Sequence, residues 1–333
     1  MPNIRVLHFG LGPIGAAVVK QVAARPGLKV VGAVDIDPAK IGRDLGDVVG
    51  LEKRLGVKVS GDAARTLKSS KPDVVVLCTS SSIVKVMPQI ETILKSRTPI
   101  VSTTEELSYP GYSHMSAARK VHALAKKAKV GVLGTGVNPG FAMDALPIAL
   151  TAVCERVDRV TVYRVQDARI RRLPFQQKIG AGLTAEQFQR KVDDGSVRHV
   201  GLTESIAMIA DAMGWTLDSI TDDIQPKIAS VPVASDFLAV DPGYVCGIVQ
   251  DGHGYRKGDA IIRLHMEAYL GAPESYDAVE IEGSPRLVQK IAGGIHGDVA
   301  TASIVINSIP KLLAAPPGLH TMRDLALPSF YPG

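Results

Sequence analysis

The sequence predicts an α/β protein with an N-terminal doubly wound parallel sheet and a second α+β domain that contains a mixed sheet. Up to about residue 150, short apolar runs rich in Val and Ile alternate with amphipathic helical patterns. That alternation is typical of a parallel sheet covered on both faces. Beyond this point, strand-like runs are separated by Pro and Gly, which favours a mixed or antiparallel sheet.

The order of the elements predicts the domain boundaries. Strands are expected at 4–9, 29–34, 73–78, 99–102 and 130–133, and helices at 14–24, 84–96 and 114–129. The second half is expected to hold a strand at 157–165, a glycine-containing loop at 178–184, a helix at 203–214, several strands within 227–282 and an apolar helix at 297–314. We therefore expect a first domain over 1–150, a second over 151–295, and a C-terminal helix and tail over 296–333 that packs back on the first.

Composition excludes several classes of protein. Of the 333 residues, 46% are hydrophobic, and no apolar run reaches the length of about 20 residues that spans a bilayer. Cys78, Cys154 and Cys246 are far apart, without metal-ligand spacing, so neither a disulfide framework nor a metal site is expected. The net charge of +5 is spread along the chain, which favours a mixed surface over a nucleic-acid partner. The N-terminus lacks the features of a signal peptide, and we expect a cytoplasmic protein.

A glycine-rich turn follows the first predicted strand and opens the first predicted helix. Gly10, Gly12, Pro13, Ile14 and Gly15 belong to this G-x-G-x-x-G pattern. The first glycine permits a tight turn, the second lets the backbone approach a pyrophosphate, and the third lets helix and strand pack closely. The helix start offers unpaired N–H groups to an anion. A turn without a ligand is the alternative, but the context predicts a dinucleotide-binding Rossmann domain.

An acidic residue ends the second predicted strand. Asp35 lies about 20 residues after the glycines, where a carboxylate accepts hydrogen bonds from the adenosine ribose. A carboxylate there repels a 2′-phosphate, which favours NAD over NADP. Lys40 and Arg43 follow closely and could offset that repulsion, so NADP stays open, as does a purely structural role for Asp35 as a helix cap.

Polar and turn residues follow three further strands at the edge where Rossmann ligands bind. We expect these to line the cofactor site, although hydroxyl caps and ordinary turns are alternatives: Thr79, Ser80, Ser81, Thr104, Asn138 and Gly140. Glu105 and Glu106 follow the strand at 99–102 and are expected beside the nicotinamide. Paired acids at such a position also commonly begin a helix. Glu105 is favoured as the first residue after the strand, but the sequence leaves open which of the two faces the site.

Several of these segments together resemble one family. The chain is similar to the dihydrodipicolinate-reductase-like oxidoreductases, and within them to 2,4-diaminopentanoate dehydrogenase and its amine dehydrogenase relatives. Besides the glycine turn, the resemblance is carried by the segments 35–38, 42–46, 104–110, 134–141, 178–182, 201–206, 307–310 and 317–322. It implies oxidative deamination of an amine, or the reverse reaction, with NAD or NADP. It also implies a homodimer or higher homo-oligomer assembled through the second domain.

The resemblance suggests a mechanism. Glu105 or Glu106 would act as counter-ion to the substrate ammonium and as the base that removes its proton. The substrate site would include Tyr109, and a substrate carboxylate would bind Lys178 with the backbone around Gly180, helped by Arg172 or its neighbour Arg171. A solvated surface loop is the alternative for the basic residues.

Three other functions remain open. A 4-hydroxy-tetrahydrodipicolinate reductase would reduce a cyclic imine, but the Glu105-Glu106-Leu107 segment replaces that family's turn. A redox sensor would bind NAD(H) without turning over an amine. A nucleic-acid-binding protein would show strongly salt-dependent affinity, and no recognition module supports it.

Overall fold

The chain divides into two compact units. The structure, a computed structural model, describes residues 3–197 and 199–333. The first unit consists of the chain up to Phe141 together with His296–Gly333, and the second of Ala142–Ile295. The second unit is thus an insertion between two parts of the first.

The first unit is built on a seven-stranded parallel sheet, in the order β15-β6-β5-β4-β1-β2-β3. Its strands are β1 Ile4–Phe9, β2 Leu28–Val34, β3 Val59–Ser60, β4 Val74–Leu77, β5 Ile100–Ser102, β6 Gly131–Gly134 and β15 Gly318–His320. The strand order changes direction between β1 and β4, and α/β sheets bind their ligands at such a switch point. The predicted parallel sheet is confirmed.

Helices cover this sheet. They are α1 Pro13–Ala24, α2 Leu45–Val49, α3 Ala63–Ser70, α4 Ile83–Lys95, α5 Met115–Ala128 and α10 Gly297–Leu313. Because side chains alternate along β1, Leu7 and Phe9 join a core shared with Ile90 of α4 and Val121 of α5. The helix α10 packs against α1, where the Gln21 side-chain amide donates a 3.1 Å hydrogen bond to the Ser303 hydroxyl.

The sequence did not predict four elements of this unit: α2, the two-residue strand β3, α3 and β15. The helix α2 has only five residues, and α3 buries only Leu67, so neither shows the apolar period of a longer helix. The strand β15 begins at Gly318, directly after Pro316 and Pro317. Its three residues pair in parallel with β6, and a strand of this length has too few residues to show alternation.

The second unit contains a six-stranded mixed sheet, as expected, in the order β14-β13-β7-β12-β11-β8. Among the strand pairs of this sheet that the structure describes, β7 and β12 are parallel and the others are antiparallel. The strands are β7 Arg156–Asp167, β8 Ser219–Ile228, β9 Val233–Ala234, β10 Ala239–Val240, β11 Val245–Arg256, β12 Asp259–Tyr269, β13 Tyr276–Ser284 and β14 Leu287–Ala292; β9 and β10 form a separate hairpin. The helices are α6 Ala145–Leu150, α7 Leu173–Lys178, α8 Ala185–Asp193 and α9 Leu202–Ala212.

The apolar helix α9 packs on β8, β11 and β12 and covers one face of this sheet. One expectation is corrected here: Lys178 is not part of a loop but the last residue of α7. Pro174 at the start of this short helix and the turn at Gly180 set its limits. No helix in residues 3–197 or 199–333 combines the length and apolar character that crossing a membrane requires.

Candidate functional site

The glycine turn links β1 to α1 and opens onto free space. Gly10 has φ +91°, and a side-chain carbon there would lie 2.5 Å from the carbonyl oxygen of Cys78, so only glycine fits. Gly12 has extended backbone at the N-cap of α1, and no atom lies within 4 Å of where its side chain would project. Pro13, Ile14 and Gly15 form the first helical turn. The opening at Gly12 faces N–H groups that lack helical partners, and this arrangement fits a pyrophosphate.

Asp35 lies buried beside this turn. One carboxylate oxygen, Oδ2, accepts a 2.7 Å hydrogen bond from the backbone N–H of Leu11, and Oδ1 accepts one of 2.9 Å from Asp37. The ammonium of Lys40 lies 3.3 Å from Oδ2. Burial raises the pKa of Asp35, but the hydrogen bonds from Asp37, Leu11 and Lys40 together outweigh burial and lower it. Asp35 is therefore ionised, and the hydrogen bond from Leu11 holds its carboxylate beside the phosphate-binding turn.

The two adjacent glutamates have different surroundings in a 3-10 turn after β5, Glu105–Leu107. The Glu106 carboxylate accepts a 2.8 Å hydrogen bond from the backbone N–H of Ile83, the first residue of α4, and lies 3.2 Å from Nε2 of His114. Glu105 is half-buried, and in the part of the chain that the structure describes its carboxylate has neither a hydrogen bond nor an ion pair. The Glu106 carboxylate is already bound by other groups of the protein, whereas the Glu105 carboxylate is available to bind a ligand.

The hydroxyl residues take mixed roles along the carboxyl edge of the sheet. Thr79 is exposed and donates a hydrogen bond of 2.5 Å to the side-chain oxygen of Gln89. Ser80 accepts a hydrogen bond from a backbone N–H in its own turn, and the carbonyl of Ser81 accepts the Glu106 N–H. Thr104 is buried and accepts a 2.9 Å hydrogen bond from Ser102. Thr79 and Ser80 are therefore accessible to a ligand, whereas Thr104 stabilises the strand end.

The turn after β6 lies at the same edge, because the N–H of Thr135 bonds to the carbonyl of Ser102 at the end of β5. Asn138 is buried, and Gly140 has φ +126°, a backbone conformation that favours glycine. Tyr109 is half-buried just after the glutamates. The first unit thus gathers the predicted cofactor residues and both glutamates along one edge of its sheet.

The predicted carboxylate-binding backbone is not available. The N–H groups of Gly180, Ala181 and Gly182 bond to the carbonyl oxygens of Gln177, Gln176 and Val245, respectively. A tight turn after α7 requires these bonds, and the three groups are not donors for a substrate. The side chains of Arg172, which caps α7, and of Lys178 are half-buried.

A buried arginine near this turn is more distinctive. Arg171 is 6% exposed, and the central carbon of its guanidinium lies 4.0 Å from the ring centre of Phe175. At a neighbouring position, Arg164 forms a buried ion pair of 2.5 Å with Asp277. Burial lowers the pKa of Arg164, Asp277 counteracts this effect, and the positive charge of Arg171 lowers the pKa further. Two guanidinium groups therefore lie close together inside the second unit.

Two of these relationships had no signal in the sequence. The Glu106–His114 contact joins a turn to the residue before α5, and the Arg164–Asp277 pair joins strands 113 residues apart. Within the described residues, no three His, Cys, Asp or Glu side chains are grouped so that they could hold a metal ion. The acceptor at Asp35 and the opening at Gly12 fit a dinucleotide, and the accessible carboxylate of Glu105 can bind a cation.

Known proteins match nearly the whole length of this chain. Residues 4–135 match the family model of the dihydrodipicolinate reductase N-terminus, and residues 141–332 match that of the 2,4-diaminopentanoate dehydrogenase C-terminal domain. The chain is 32% identical to a 2,4-diaminopentanoate dehydrogenase of Acetoanaerobium sticklandii, over 98% of this chain and 95% of the other. It is 24% identical to an amine dehydrogenase of Streptomyces virginiae, over 97% of this chain and 96% of that protein. The solved structure of an amine dehydrogenase from Mycobacterium smegmatis is similar with a TM-score of 0.87 at 26% identity, covering 99% of this chain and 98% of that one.

Proposed function

The chain belongs to the 2,4-diaminopentanoate dehydrogenase family, and we propose that it deaminates a small amine oxidatively with Glu105 as the catalytic carboxylate. As a member of this family it is a nicotinamide-dependent oxidoreductase that acts on amines. The observation that carries the catalytic assignment is the contrast between the adjacent glutamates. Glu106 is bonded to the start of α4 and to His114, whereas Glu105 keeps an accessible carboxylate.

The first unit would bind the dinucleotide through the glycine turn, Asp35 and the residues at the carboxyl edge of its sheet. The turn at Gly12 and the start of α1 would hold the pyrophosphate, and Asp35 would accept a hydrogen bond from one hydroxyl of the adenosine ribose. When bound, the nicotinamide supplies the hydride acceptor. Asn138 and the backbone at Gly140 would line the ring, and Thr79, Ser80 and Ser81 would line the path towards it, whereas the buried Thr104 would only support the end of β5.

Glu105 has two tasks in this proposal. Its carboxylate first stabilises the substrate ammonium and takes one proton from it, because only the neutral amine has the lone pair that assists departure of the hydride. The substrate then carries an iminium carbon. Once Glu105 has released this proton to solvent, it assists the attack of water on that carbon by accepting a proton from the water, and it returns that proton to the amine nitrogen as the adduct collapses. Collapse of the adduct yields a carbonyl compound and ammonium, and one proton is released for each hydride transferred. The reverse sequence is reductive amination.

A substrate carboxylate would bind the second unit. We propose Arg171 as its main partner, with Arg172 and Lys178 contributing charge, since Arg171 is buried, lies 4.0 Å from the ring centre of Phe175, and carries a group that binds carboxylates in a bidentate manner. The name of the Acetoanaerobium sticklandii relative supports 2,4-diaminopentanoate as a substrate. Tyr109, which follows the glutamates, would line the amine side of the site.

The experiment is a screen for reduction of NAD⁺ and NADP⁺ with 2,4-diaminopentanoate, 2-aminopentane and short diamines. We expect turnover with 2,4-diaminopentanoate. Arg171→Met should raise its KM at least about tenfold and leave the kcat/KM for uncharged alkylamines within about threefold, because only the carboxylate contact is removed. Equal losses for both substrate classes would contradict the carboxylate assignment. Absence of turnover with every amine tested would contradict the function.

Assembly and location complete the proposal. We propose a homodimer formed through the second unit, because the sheet face opposite α9 presents Tyr163, Asp251 and His265 side by side across three strands. Sedimentation velocity would show a mass near that of one chain if this proposal is wrong. The cytoplasmic location is supported by the three cysteines being free thiols.

A further inference from the structure

The cofactor end of the first unit contains a cation held between two carboxylates. The ammonium of Lys40 lies 3.3 Å from Oδ2 of Asp35 and 3.4 Å from Oδ2 of Asp37. Its side chain is 25% exposed and is therefore partly in contact with solvent. An ammonium group has three N–H donors, and these two contacts use two of them. One donor of Lys40 can still bind an anion without breaking either pair.

Asp35 has little acceptor capacity beyond its present contacts. A carboxylate has about four lone-pair positions. Within residues 3–197 and 199–333, Oδ2 accepts from Leu11 and Lys40, and Oδ1 accepts from Asp37. Lys40 therefore occupies a position that a ribose hydroxyl would use on Oδ2, and it neutralises the charge that would repel a 2′-phosphate. Arg43 adds a second exposed cation beside the same turn, where it contacts the carbonyl of Ala39.

We infer that Lys40 determines cofactor selectivity: it binds the 2′-phosphate of NADP with its third donor and so lets the site accept both dinucleotides despite Asp35. Two cations balance the two carboxylates here, whereas an unpaired aspartate at this position excludes NADP by repulsion. The inference deepens the proposed function and depends on the proposed dinucleotide site, but it does not depend on the amine chemistry.

The test is titration of the protein with NADPH and NADH, followed by the fluorescence of the reduced nicotinamide. Wild-type protein should bind both. Lys40→Met should weaken NADPH at least about tenfold, the loss of one charge-assisted contact to a phosphate, and change NADH less than about threefold. Lys40→Arg should retain NADPH binding. Added NaCl should weaken NADPH more steeply than NADH in the wild type only.

Lys68→Met is the matched control. Lys68 is an exposed lysine of the same unit, on α3, and it lines a different cavity together with Lys71 and Thr98. Its replacement removes the same net charge and should change neither affinity by more than about twofold. Equal loss of NADPH and NADH in Lys40→Met would overturn the inference, because it would mean that Lys40 only shapes the turn. Undetectable NADPH binding in the wild type would also overturn it. If neither dinucleotide binds, the proposed function fails as well, whereas dinucleotide binding without amine turnover affects the amine chemistry alone.

Discussion

Glu106 and His114 form a contact of 3.2 Å between carboxylate and imidazole, and the same carboxylate oxygen accepts the first N–H of α4. The 3-10 turn that carries Glu105 is thereby attached to two helices. The backbone N–H of Glu106 also bonds to the carbonyl of Ser81 at the β4–α4 loop. These contacts hold in place the turn that also carries Glu105.

Replacing each glutamate by glutamine should give opposite phenotypes. Glu105→Gln should lower the kcat of amine oxidation about 10²–10⁴-fold with little change in NADH affinity or stability, because an amide cannot accept the proton. Glu106→Gln should keep at least about a tenth of kcat but lower the free energy of unfolding by about 1 kcal/mol, since a charged contact at the start of α4 is lost. Steady-state kinetics and urea denaturation measure the two effects. Near-wild-type turnover in both variants would exclude a catalytic carboxylate here.

The glycine turn allows binding and folding to be separated. Gly12→Ala should fold normally, because the backbone is extended and no atom lies within 4 Å of the new methyl group. That methyl group enters the space proposed for the pyrophosphate, and the affinity for NADH should fall at least about tenfold. Gly10→Ala should instead destabilise the protein by about 1–3 kcal/mol, because φ +91° strains any other residue. Unchanged NADH binding by Gly12→Ala would place the pyrophosphate elsewhere.

His8 should make the stability of the first unit depend on pH. It lies in β1, both ring nitrogens are buried, and neither has a hydrogen-bond partner among the described residues. Burial lowers the pKa of His8 to about 3 from an ordinary value of 6.5. The unfolded chain therefore binds a proton first as the pH falls. This group's contribution is fully present above pH 6.5 and is lost progressively between pH 6.5 and 3.

His8→Leu is the variant that isolates this effect. Between pH 7.5 and 5.0, the wild type should lose about 2 kcal/mol more of its free energy of unfolding than His8→Leu, because leucine cannot bind the proton. Urea denaturation at the two pH values gives both differences, and the other titrating groups cancel between the proteins. The prediction is contradicted if the two proteins lose the same amount.

The buried ion pair of the second unit should be costly to break from one side. Arg164→Met leaves Asp277 charged and without its partner guanidinium, and we expect a loss of about 3–5 kcal/mol. Asp277 still accepts the backbone N–H of Ile295 at 2.6 Å, which an asparagine oxygen can also do. The double variant Arg164→Met, Asp277→Asn should therefore lose less than the sum of the two single variants. Additive losses in thermal unfolding would show that the two side chains act independently.

The sequence by itself determined the parallel sheet, the glycine turn at Gly10 and Gly12, and the acidic residue at the end of β2. These features depend on local pattern: apolar runs, a turn that only glycine permits, and a fixed spacing within one βαβ unit. The sequence also placed both glutamates after β5. It could not distinguish Glu105 from Glu106, because adjacent residues of one type carry the same local signal.

Only the tertiary structure decided which partners the polar side chains take. The Ile83 N–H and the imidazole of His114 occupy Glu106, Lys40 bridges Asp35 and Asp37, and the turn at Gly180 consumes its own N–H groups. A hydrogen bond requires a donor within about 3 Å in the right direction. The donor and acceptor come this close only when the elements pack, and they are often distant in the chain. The spacing of residues within one segment therefore cannot predict such a contact.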